Sequence, residues 1–91
     1  MSENLENTKK QIILVLSPEA DVVSLISPLV EYICDNSRIS IKTIGVKKNM
    51  VTFFTSDEVE TDDIKTVHRI LNEHNINVTS QNYDNHTFWL F

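Results

Sequence analysis

Residues 11–17 read QIILVLS, and the fold turns on how the five consecutive apolar side chains of that stretch are placed. A β-strand points successive side chains to opposite faces of its sheet. An unbroken apolar run of this length therefore predicts a strand covered on both faces, in the middle of a sheet. The downstream sequence, residues 17–37, reads SPEADVVSLISPLVEYICDNS. Ser17 suits a helix N-cap and Pro18 the first helical position. Val22, Leu25, Ile26, Leu29 and Ile33 recur at helical spacing, with Asp21, Ser24, Glu31 and Asp35 on the opposite side. Pro28 lacks the N–H that would reach the carbonyl of Ser24, which predicts a kink or a restart with Ser27 as a second cap.

Further along, residues 38–46 (RISIKTIGV) alternate and are rich in β-branched side chains, as are 50–55 (MVTFFT). Lys47, Lys48 and Asn49 between them predict a β-hairpin turn. The stretch at residues 55–75, TSDEVETDDIKTVHRILNEHN, predicts a second helix, with Thr61 as N-cap. Ile64, Val67, Leu71 and His74 lie on one side; Asp62, Lys65, Arg69 and Glu73 lie on the other. Residues 76–81 read as a strand, 83–85 as a turn and 86–91 as a last strand.

The expected order is thus β-α-β-β-α-β plus one extra C-terminal strand. Right-handed crossovers favour an α+β, ferredoxin-like two-layer sandwich, an antiparallel sheet with two helices on one face. The fifth strand is expected to form a hairpin with the fourth at the sheet edge, exposed there to pairing with another chain. Residues 1–10 form a polar lead and 11–91 a single domain; a chain of 91 residues supports one small core.

This order resembles that of ACT-type regulatory domains and, more loosely, RNA-recognition motifs. ACT-type ligand sites resemble a glycine-bearing loop after the first strand, whereas Ser17-Pro18-Glu19-Ala20 has no glycine. RNA-recognition motifs carry stacking aromatics on the first and third strands. Here the first strand has none, and Lys48-Asn49-Met50-Val51-Thr52-Phe53-Phe54 lacks the glycines. The resemblance is one of topology, and it implies at most a small-ligand-sensing module as an alternative function.

Composition narrows the function classes. A net charge of −5 disfavours direct binding to nucleic acid or acidic membranes, which takes a basic footprint, and suits a basic partner. Cys34 is the only cysteine, so no intramolecular disulfide forms and a reducing compartment is expected. It is expected to be buried and inert. The polar start and the lack of any apolar run near the roughly 20 residues that span a bilayer point to the cytoplasm. Asn, Ile and Lys are abundant, as in AT-rich genes, those of many bacteriophages among them.

No phosphate-cradling glycine loop, nucleophile elbow, metal-ligand pair or acid/base couple is recognisable. No enzyme, cofactor or metal is expected. Two features suggest binding instead. Residues 55–63 read TSDEVETDD, with five of the thirteen carboxylates: Asp57, Glu58, Glu60, Asp62 and Asp63. Asp62 and Asp63 offset the positive end of a helix dipole. Asp57, Glu58 and Glu60 precede the first turn and form a negative patch able to steer a basic partner, even to imitate a run of phosphates. The second feature is missing alternation. Some of Ile13, Val15, Val51, Phe53, Trp89 and Phe91 are expected on the face away from the helices, where a large apolar patch marks an interaction site. Partner-binding residues are therefore expected at Asp57, Glu58, Glu60, Asp62, Asp63, Phe53, Trp89 and Phe91. The expected partners are another protein, one that itself binds nucleic acid, and a second copy of the chain.

Overall fold

The computed structural model describes residues 10–82 and 86–90. The apolar run forms β1 (Gln11–Val15), and it is interior, with a hydrogen-bonded strand on each side. Ile12 and Leu14 are fully buried, while Ile13 and Val15 on the other face are half-buried. The chain then runs through α1 (Val22–Asn36), β2 (Ile41–Lys47), β3 (Met50–Thr55), α2 (Thr61–Glu73), β4 (Val78–Asn82) and β5 (Thr87–Leu90). The fold is α+β, with two helices and a five-stranded mixed sheet in the order β2-β3-β1-β5-β4.

The last strand departs from the expected layout. It does pair with β4 in antiparallel fashion, but it inserts between β4 and β1 and runs parallel to β1, so the sheet is mixed. The composition of the two strands explains the placement. β5 reads TFWL, apolar towards both faces, and Thr87, Phe88 and Leu90 are buried. β4 reads VTSQN and has little to hide. A strand buried on both faces belongs inside the sheet and a polar one at its edge. The edges are therefore β2 and β4, and β5 has no free side for pairing with another chain.

Both helices pack on one face of the sheet. Leu29 and Ile33 of α1 and Ile64, Val67 and Leu71 of α2 form one core with Ile12, Leu14, Val51, Phe53, Phe88 and Leu90. Burying a side chain of this kind contributes roughly 1.5–3 kcal/mol. Ser17 and Pro18 do not start α1. They open a turn closed by the Ala20 N–H donating to the Ser17 carbonyl at 2.9 Å, with Pro18 at its second position, where its fixed φ is equally suited. Asp21 is the N-cap, its carboxylate accepting from the Ser24 hydroxyl at 2.8 Å. The helix runs through Pro28 without a restart. Cys34 is exposed, not buried: it follows Ile33, and one step along a helix turns the side chain by about 100°, away from the core.

α2 begins one residue earlier than expected, with Glu60 as N-cap, and ends in a left-handed turn. Asn75 has φ 62°, and the Ile76 N–H returns to the Leu71 carbonyl at 2.8 Å. Asn tolerates that conformation better than most residues. His74 is the C-cap, exposed, and its ring stacks on Tyr32 of α1 with centroids 3.6 Å apart.

Candidate functional site: the open sheet face and the acidic run

The face away from the helices is built in rows by the strand register. One row crosses the sheet as Lys47, Met50, Val15, Trp89 and Ser80. The next runs Gly45, Thr52, Ile13, Thr87 and Asn82, and a third holds Thr43, Phe54 and Gln11. Met50, Phe54 and Trp89 are 37 %, 39 % and 37 % exposed, which places them among the most exposed large apolar groups of the protein. The face thus carries an apolar stripe, Met50-Val15-Trp89, between Lys47 and Ser80. On β3, Thr52 separates Met50 from Phe54, while Ile13 on β1 carries the apolar surface into the next row. Among the described residues, no element covers it.

Trp89 lies on this face, as the missing alternation implied. Phe53 and Val51 do not. Both are fully buried under the helices, and their neighbours Phe54 and Met50 face outward instead. Pairing with β1 decides the parity: Ile12 lies opposite Phe53 and Leu14 opposite Val51, so the face that buries Ile12 and Leu14 buries these two as well. Phe91 lies outside the described residues.

The acidic run divides into two parts. Asp63 is buried, 6 % exposed, and its carboxylate Oδ2 has two donors: the Glu60 N–H at 2.9 Å and the Arg38 guanidinium at 2.6 Å. It closes the first turn of α2 and ties that turn to the segment entering β2, so it is a structural group with no surface to offer. Arg38 also donates to the Glu58 carbonyl at 3.4 Å. Arg38 is thereby placed against the acidic run. Asp57, Glu58, Glu60 and Asp62 are exposed. They lie beyond the end of β3 at Thr55, whereas Lys47 and Lys48 lie at its beginning, beside Met50. One end of β3 is therefore rich in exposed carboxylates and the other carries two lysines. The hairpin end is held to β1 by Asn49, whose backbone and side chain bond Leu16 at 2.8 and 2.6 Å.

Among the described residues, no three His, Cys, Asp or Glu side chains converge as metal ligands would. His68 is half-buried on α2, and His86 is buried with its Nδ1 3.1 Å from the Gln11 carbonyl oxygen. No described helix is long and apolar enough to cross a membrane. Comparison of the chain with protein-family models, with curated proteins and with solved structures gives no match.

The open-face residues that sequence reasoning passed over, Met50 and Phe54, had a signal. Once β1 and β3 are taken as antiparallel neighbours, the buried phase of one strand sets the phase of the other.

Proposed function

We propose that this is a non-catalytic, cytoplasmic binding protein that regulates or inhibits a partner protein through the open face of its sheet. The exposed carboxylates Asp57, Glu58, Glu60 and Asp62 steer a basic partner towards that face, in competition with the nucleic acid such a partner would otherwise hold. The observation that carries this reading is the stripe Met50-Val15-Trp89, apolar and uncovered by any described element. Trp and Met are enriched at the centres of protein interfaces. Exposed acids accelerate encounter with a cation-rich surface and lose effect as salt screens them. Self-association through the same face gives a homodimer, the form taken when no partner is bound.

The test uses two baits, the native chain and a variant with Met50→Ser and Trp89→Ser, in a quantitative affinity capture. A basic protein retained by the native chain, lost with the variant and released as salt rises supports the reading. The same proteins recovered equally by both baits, or capture indifferent to salt, overturns it.

A further inference from the structure

A groove of about 350 Å³ lies where β2, β3 and the residue before β1 meet, lined by Lys10, Lys42, Thr43, Phe54 and Thr55. We propose that it is a binding site for a free nucleoside monophosphate, or a closely similar phosphomonoester on a flat ring.

Three observations lead there. The first is a β-bulge. Ile41 pairs with Thr55 and Thr43 pairs with Phe54, so two steps along β2 match one along β3 and Lys42 is the extra residue. A bulge re-aims side chains. Lys42 and Thr43 both line the groove, as do Phe54 and Thr55 opposite them on β3.

The second is the pair of cations. Among the described residues, neither Lys10 nor Lys42 has a carboxylate partner, although the acidic run begins two residues after Thr55; the ion pair at this end of the sheet is Arg38–Asp63. Lys10 is anchored by its backbone, its carbonyl accepting from the Thr55 N–H at 2.9 Å. Two ammoniums that share one groove match a phosphomonoester, which carries about −1.5 to −2 at neutral pH, better than a single carboxylate.

The third is the ring. Phe54 is 39 % exposed beside the chain's single glycine. A Cβ at Gly45 would sit 3.4 Å from the ring's Cε2, at van der Waals contact, so the ring lies against β2 at that position. A ring held in this way is a stacking platform, worth about 1–3 kcal/mol per nucleobase.

The volume falls at the low end of the roughly 300–1,000 Å³ typical of small-molecule sites. The ligand is a free molecule because a polyanion tracking past the groove would meet exposed carboxylates on a chain of net charge −5. The site lies at the start of β1, at the opposite end of the strand from the loop at residues 17–20.

The test is titration of the full-length, isotopically labelled chain, followed by backbone amide resonances. The probes are adenosine monophosphate, inorganic phosphate, adenosine and a short single-stranded oligonucleotide. The monophosphate should shift the amides of Lys42, Thr43, Phe54 and Thr55 and saturate below about 1 mM, with phosphate and adenosine each about 10-fold weaker or worse. Lys42→Gln and Phe54→Leu should each weaken it about 5- to 10-fold while resonances elsewhere stay in place. Absence of shifts at these amides at about 10 mM, saturation that Lys42→Gln leaves unchanged, or response to the oligonucleotide alone overturns the proposal. Lys42→Gln leaves Met50 and Trp89 untouched, so the outcome is independent of whether the apolar stripe binds a protein.

Discussion

Replacing Asp63 with alanine separates the structural part of the acidic run from the part free to meet a partner. Three contributions are removed together. The cap on the Glu60 N–H is worth about 1 kcal/mol. The charge at the positive end of the helix contributes roughly 0.3–1 kcal/mol. The Arg38 pair adds about 0.5 kcal/mol, towards the low end because the arginine side chain is 54 % exposed and solvent screens it. Together they give about 2 kcal/mol, and in a domain of this size each kcal/mol moves the melting temperature by about 4–8 °C. Asp63→Ala should therefore melt about 8–16 °C below the native chain. Asp62→Asn, beside it and exposed, removes only the dipole contribution and should melt about 1–8 °C lower. Thermal unfolding followed by circular dichroism measures both. A double-mutant cycle with Arg38→Ala should show a coupling of about 0.5 kcal/mol. If Asp63→Ala is no more damaging than Asp62→Asn, the capping argument fails and Asp63 returns to the exposed patch.

Two further substitutions probe the layering. Phe53→Ala should lose about 3–5 kcal/mol in urea unfolding and Phe54→Ala about 1–2 kcal/mol; the reverse order would mean that the parity of β3 has been misassigned. Pro28→Ala restores the donor to the Ser24 carbonyl, a gain of up to about 3 kcal/mol offset by about 1 kcal/mol of added unfolded-state freedom, so stability should rise by about 2 kcal/mol. A loss would show that α1 uses the proline for its packing.

Much of this architecture was legible from residue order. The run at residues 12–16 demanded an interior strand, and the helical spacing of Val22 to Ile33 and of Ile64 to Leu71 located both core-facing sides. What periodicity left open was phase and neighbourhood. Phe53 and Phe54 are chemically identical, so nothing within MVTFFT says which of them is buried; the pairing of Ile12 with Phe53 across the sheet does. Cys34 was misplaced by one residue of helical rotation. The position of β5 was implicit in the contrast between TFWL and VTSQN, but chain order alone favours a hairpin at the edge over an insertion. The double role of Asp63 was hidden because its partner, Arg38, is remote in the chain and close only in space. Local pattern reports on faces, whereas long-range pairing decides which faces meet.

The insertion of β5 has a consequence for how the protein comes into being. Leu14 and Phe88 sit side by side in neighbouring strands, although they come from opposite ends of the chain. β4 is joined to the rest of the sheet only through β5. During synthesis the first three strands can assemble early, but they wait with one flank of β1 bare until Thr87–Leu90 leaves the ribosome. Closure by such distant segments is slow, and an unfilled slot invites any foreign strand of suitable composition. A chain truncated just before residue 87 should therefore be more prone to aggregate than the full chain.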